Sequence, residues 1–311
     1  LLTSNSLRLL RNEHPFNYLK MDKNKNNVVQ YLNGLNYTTV AMHCRNGVNY
    51  SRHNGYPALG FDKSIIPYNN KNVGFYTYNK YGNRDFLDKD NYADMIRAYN
   101  ELGDGPRFMY LLTYQNHGWW EQNDSSLDTV HSSADLGANW LTRSMDEYLT
   151  SVQMSADAFK ELTEYYKTVD RPVIICMVGD HAPAFIKELP DNGHSELENM
   201  FNQRAVPYVI WGNFPLETDL DTEYVSLFDL MPMISDICDM PLTTYQKTIL
   251  DLHQDVPVVL SDGYYYTKEG KIEKIDKSSK YYDEIMKYYY MEYNSLGNQK
   301  DYRKELFELK H

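Results

Sequence analysis

The chain has little cysteine, no long apolar run and no surplus of positive charge, and each shortage closes a door. Its three cysteines, Cys44, Cys176 and Cys238, are far apart among 311 residues. They make neither a disulfide framework nor a C-x-x-C metal pair, and Cys176, inside an apolar run, reads as a small core residue. No stretch reaches the about 18 apolar residues that a membrane span requires, and no secretory leader is visible. The formal net charge is −12. Nucleic acid is excluded as a partner, because neutralising phosphates takes a basic face. Any anionic substrate must be held by local charge against the overall field. Internal repeats and low-complexity linkers are also missing.

What is present is ordinary for a globular domain, at 42% hydrophobic and 24% charged residues, except for 29 tyrosines. A tyrosine has an apolar ring and a polar tip. A surplus suits half-buried helix faces and sugar- or glycerol-binding surfaces, or reflects drift in an AT-rich genome.

Four runs read as strands: 37–41, 107–113, 172–178 and 206–211. Their nearly continuous apolar character predicts burial on both faces, as in a parallel sheet. Helical spacing predicts helices over 26–32, 90–102, 144–169 and 228–237. This alternation implies an α/β fold with helices on both faces of a mostly parallel sheet. Residues 256–272 read as a hairpin turning at Lys268-Glu269-Gly270, and 279–309 as a charged, tyrosine-rich helix. The expected organisation is an α/β domain over 1–255 with a hairpin and helix, 256–311, packed on it.

Ligands of open α/β sheets bind at the carboxyl ends of the strands. Three of the four runs finish near a histidine: His43, His117 and His181. Asp180-His181 follows a glycine that lets the backbone bend, and offers one hard oxygen and one imidazole, a mix that suits Mn²⁺ or Zn²⁺ better than Ca²⁺. The same Asp could instead cap a following helix. Arg52, in a loop rich in turn formers, has the planar fork that suits phosphate. His117 stands beside Trp119 and Trp120 and could carry a proton or bind a phosphoryl group, while the Trp pair could equally be core. His14, His53, His131, His194, His253 and His311 lie in polar loops or termini and receive no role.

Four blocks carry a resemblance. Leu35–Ser64 contains a strand ending in His and then Tyr-Pro-Ala-Leu-Gly-Phe-Asp. Tyr110–Trp120 is similar to a Thr-x-x-x-His block, Val178–Pro183 to a Gly-Asp-His block, and 205–213 with 226–237 to a closing strand and helix. Together they resemble the extracellular catalytic domain of lipoteichoic acid synthases and related phosphoglycerol transferases, in the alkaline phosphatase/sulfatase superfamily. The resemblance implies one divalent cation, Mn²⁺ ahead of Mg²⁺ or Zn²⁺, with Asp180 and His181 at two ligand positions. It implies Arg52 on the phosphate and His117 and His43 in the pocket. Tyr50 and Ser51 stand where the family has Trp and Asn. The partners it implies are a phosphatidylglycerol-like lipid and a growing glycerophosphate polymer, at the outer face of a bacterial membrane to which the parent is anchored. The family's nucleophilic Thr and metal-binding Glu would lie before Leu1. The expectation is therefore an amino-terminally truncated, inactive fragment of an active enzyme. Rival expectations are a sulfatase or phosphoethanolamine transferase, or a non-catalytic domain that binds glycan or teichoic acid.

Overall fold

The computed structural model describes residues 1–6, 27–66, 87–118, 120, 125–190, 193–296 and 302–309. His14, Trp119 and His311 fall outside these residues, as does part of the expected last helix.

Helix α1 (Val28–Gly34) starts where the Asn27 side chain accepts from the Gln30 amide, and it buries Val28, Val29 and Leu32. Strand β1 (Thr38–His43) follows. Helix α2 (Arg52–Leu59) then leads into β2 (Lys63–Ile65). Helix α3 (Asp88–Glu101), β3 (Arg107–Leu112) and the long α4 (Asn139–Lys167) come next. At 1.5 Å per residue, the 29 residues of α4 span about 43 Å. Strand β4 (Ile174–Val178), α5 (Glu196–Asn202), β5 (Tyr208–Gly212) and α6 (Leu230–Ile237) complete the α/β part. Beyond it lie α7 (Thr244–His253), the short strands β6 (Val258–Val259), β7 (Tyr264–Tyr266) and β8 (Ile272–Lys274), and α8 (Tyr282–Leu296).

β1 is flanked in parallel by β2 and β3, in the order β2-β1-β3. Period-2 alternation sends its residues to opposite faces. Ala41, Phe108, Tyr110, Ile174, Cys176 and Ile210 join one core with α1, α2 and α6. Val40, Met42, Met109, Leu111, Ile175 and Trp211 join another, with α3 and α4. Two cores on two faces, each covered by helices, make this the α/β architecture that the apolar runs predict. Two features differ, the first being that among the described residues β4 and β5 pair only with each other, in a two-stranded sheet apart from β2-β1-β3. The second is direction: β5 runs antiparallel to β4, pairing Ile174 with Gly212 and Val178 with Tyr208. An antiparallel strand buried on both faces is as continuously apolar as a parallel one, so the run could not distinguish them.

A third core joins Phe228, Tyr245, Ile249 and Leu252 to Tyr265, Ile285, Tyr288 and Phe307. Much of the tyrosine surplus is spent here: Phe228 stacks on Tyr288 and Tyr302 on Phe307. Helices α5 and α7 were not foreseen, although each opens with a capping box, Ser195 with Glu198 and Thr243 with Gln246. His253 is also not in a polar loop. It closes α7 and is 1% exposed, with Nδ1 2.9 Å from Asp229 Oδ2 and Nε2 2.7 Å from the Asp221 carbonyl.

Candidate active site at the strand ends

His43, the last residue of β1, is 3% exposed, and its Nδ1 lies 2.8 Å from the Leu112 carbonyl at the end of β3. Burial, then the positive charge of Arg52, push its pKa down to about 4. The imidazole is therefore neutral at physiological pH, with a proton on Nδ1 and an acceptor at Nε2.

Arg52 is the first residue of α2, not part of a loop. Immediately before it, Tyr50 and Ser51 both take φ of 55°, left-handed conformations that side chains other than glycine rarely adopt. Two such residues in a row store strain, and strain of this kind gathers at functional sites. The kink lays the Arg52 guanidinium 4.7 Å from the Tyr50 ring centroid. Nη1 of Arg52 donates to the Asn49 carbonyl at 3.1 Å, whereas its buried Nε has no acceptor among the described residues. A buried guanidinium N–H with no acceptor among those residues fits an anion.

His117 lies five residues past β3 and is exposed. Its ring stacks on Tyr114, 4.5 Å between centroids, and Tyr114 meets His43 edge-on at 6.4 Å. A buried polar network holds this loop. Gln115 accepts from the Asp88 amide at 2.8 Å and donates to the Ser151 carbonyl at 3.0 Å. Asn116 donates to Ser155, which donates to Asp88 at 2.7 Å. The starts of the loop and of α3 are thus both fastened to the middle of α4.

Asp180 and His181 are exposed on the turn after β4. Gly179 lets the end of β4 lie close against the segment before β5, because a Cβ there would stand 3.0 Å from Val206 Cβ. His181 Nδ1 lies 2.9 Å from the Ala182 carbonyl, which places the proton on Nδ1 and turns Nε2 into a lone-pair donor. That Nε2 is 3.6 Å from Asp180 Oδ2. A carbonyl that fixes one imidazole nitrogen and leaves the other for a cation is how metal-ligating histidines are held. The pair fits two positions of a divalent cation, which takes about four to six donors. Among the described residues, no group of three His, Cys, Asp or Glu side chains completes such a set.

Packing and charge relate these segments. Tyr110 has its hydroxyl pKa raised by burial, and feels both Arg52, which lowers it, and Asp180, which raises it. Trp120, three residues after His117, packs edge-on against Phe185 at 5.3 Å, four residues after His181. Gly118 belongs to the same contact, since a Cβ there would collide with the Trp120 ring at 2.5 Å. Trp120 is thus a core residue of the lip. Three residues here escaped the sequence reading: Arg45, Tyr110 and Tyr114. Arg45 lies two residues past His43, its guanidinium 4.7 Å from the Tyr114 ring centroid. Its place at a strand end was the available signal.

The family model described as Sulfatase matches residues 2–240. The chain is 26% identical over 196 residues, 59% of its length, to a putative cyclic β-1,2-glucan modification protein of Rhizobium meliloti. That match spans only 29% of the relative's own length. Among solved structures it resembles the Streptococcus pyogenes phosphoglycerol transferase GacH in complex with sn-glycerol-1-phosphate, at a TM-score of 0.71 and 16% identity, covering 99% of this chain and 75% of that one. It also resembles the lipoteichoic acid synthase LtaP of Listeria monocytogenes, at 0.66 and 14%, covering 100% and 79%. The fold is therefore alkaline phosphatase/sulfatase-like.

Proposed function

This chain belongs to the sulfatase family, and from that premise we propose that it forms most of the catalytic domain of a metal-dependent phosphoglycerol transferase. The observation that carries the reading is Tyr110, where one side chain feels a guanidinium suited to phosphate and a carboxylate suited to a cation. Arg52 holds the phosphate of a phosphatidylglycerol-like donor through its fork, with the buried Nε as one donor. His43, neutral, accepts a hydrogen bond from a glycerol hydroxyl at Nε2, and the exposed Tyr50 ring lines the entrance. His117, exposed and stacked, moves the proton to or from the oxygen that leaves or enters. Asp180 and His181 hold a divalent cation, Mn²⁺ first, which would lower the pKa of a nucleophilic hydroxyl and offset phosphoryl charge.

On this reading a nucleophilic hydroxyl and a further metal ligand complete the set begun by Asp180 and His181. The acceptor is a hydroxyl of a glycerophosphate polymer. The similarity to the glucan modification protein favours a second acceptor, a glycan hydroxyl, on the same chemistry. The chemistry takes place at the outer face of a membrane-anchored parent. Among the described residues no helix is long and apolar enough to cross a membrane.

The test is release of diacylglycerol from phosphatidylglycerol vesicles by the full-length protein, with Mn²⁺ supplied. R52Q should lower the rate about 10²- to 10³-fold, as removal of a donor to a developing charge does. An R52Q rate equal to wild type would reject the reading.

A further inference from the structure

The proposed chemistry uses His117 and leaves the middle of α4 without a purpose. Between Ser144 and Ser155 every buried residue of that helix is polar: Ser144, Glu147, Thr150, Ser151 and Ser155. The next buried positions, Ala158 and Leu162, return to the apolar pattern. Serine is a weaker helix former than alanine, and a buried hydroxyl costs free energy unless it is paired. Helix stability alone does not select such a stripe, so what it is paired with matters.

Ser151 Oγ donates to Asn116 Oδ1 at 2.6 Å, and Asn116 Nδ2 donates to Ser155 Oγ at 3.0 Å. Ser155 Oγ in turn donates to Asp88 Oδ2 at 2.7 Å. Gln115 is also held at both ends, by the Asp88 amide and the Ser151 carbonyl. Gln115 and Asn116 are the two central residues of a turn, which the His117 amide closes on the Tyr114 carbonyl at 3.0 Å. Fixing both central side chains fixes the two ends, and those ends are the stacked rings of Tyr114 and His117. His117 Nδ1 lies 3.3 Å from the Gly118 carbonyl, a contact within its own loop. Its placement on the lip therefore comes from the turn beneath it, and a paired buried network makes that mount rigid.

We propose that Ser151 and Ser155 of α4, with Asp88 at the start of α3, are positioning residues for His117. They hold the exposed imidazole where a proton-transfer group must meet the reacting oxygen to within about 0.5 Å. All three are buried, so they act through His117 and not on the substrate. The task of His117 rests on the phosphoglycerol reading, whereas the mount beneath it does not.

Two variants of equal shape isolate the hydroxyl, S155T and S155V. The control is T150V, one turn away on α4, whose hydroxyl accepts from the Thr129 and Val130 amides of a different loop. By NMR on this chain, the contact between the Tyr114 and His117 rings should survive in wild type, S155T and T150V and be lost in S155V. With the full-length protein and phosphatidylglycerol vesicles, S155V should lower kcat about 10- to 100-fold with KM within about twofold. S155T should restore most of that loss, and T150V should keep kcat. In an H117A background S155V should have no further effect, since the two changes share one path. A ring contact that persists in S155V overturns the proposal, as does an S155V loss undiminished in H117A or matched by T150V. Absence of turnover in wild type rejects the phosphoglycerol reading instead, and the ring contact then decides the mount.

Discussion

Two histidines of nearly equal burial behave in opposite ways. His43 at the strand-end lip is 3% exposed and His253 at the junction with the carboxy-terminal core is 1% exposed. Each has Nδ1 bound to an oxygen, a carbonyl for one and a carboxylate for the other. Burial alone lowers both, because it penalises the charged ring. At the lip Arg52 and Arg45 push the same way, and His43 falls to about 4. At the junction Asp229 and the Asp221 carbonyl outweigh burial, and His253 is raised. Neighbouring charge, not depth, decides the protonation state. The lip keeps a neutral ring ready to accept, whereas the junction keeps an ionic clamp between α7 and the start of α6.

The comparison breaks most readily at the clamp. His253→Ala would leave Asp229 buried and unpaired, and should cost about 3–5 kcal/mol in urea unfolding. The pH dependence follows from the raised value. His253 binds its proton more tightly folded than unfolded, so its contribution is lost as pH rises through the elevated folded value. Asp229, raised to about 6 by burial, loses its charge as pH falls through that value, and the ion pair holds between the two. The gap between wild type and His253→Ala should therefore narrow on the alkaline side. His43 has the opposite sign. Its lowered value means that acid favours the unfolded chain, so H43Q should flatten the fall in stability between about pH 6.5 and 4.

A smaller effect is expected at the turn that presents Asp180. Gly179→Ala forces a Cβ against Val206 and should cost about 1–3 kcal/mol, with weaker metal binding. R52Q sharpens the electrostatic part of the comparison. By NMR titration the His43 pKa should rise, yet stay below the ordinary imidazole value because burial is the larger cause. An unchanged His43 pKa would show that the guanidinium does not act on it. The smallest effect should come from His131→Ala. That ring is 3.0 Å from Asp146 but 63% exposed, so its loss should cost under about 1 kcal/mol.

The lip was largely legible in the sequence because its signals are local. A strand that ends in His, a glycine before Asp-His and an Arg after a turn-rich stretch each announce themselves within a few residues. Tyr110 and Tyr114 were not legible, since their importance lies in what they touch: Arg52 and Asp180 for one, His43, Arg45 and His117 for the other. The junction failed for the same reason. Asp229 and His253 are 24 residues apart, and only folding makes them a pair. The antiparallel β5 escaped because hydrophobicity reports burial and not direction. By contrast, α7 carries its signal in the sequence, a capping box at Thr243 and Gln246.

The central claim is that turns far apart in the chain meet at one edge to hold a cation beside a phosphate. Titrating the chain with Mn²⁺ and following histidine ring signals by NMR tests this directly, because a bound paramagnetic ion broadens what is near it. Broadening should be strongest for His181, then extend to His117 and His43, and leave His253 and His131 sharp. Broadening centred on His131 or His253, or none at His181, would contradict it.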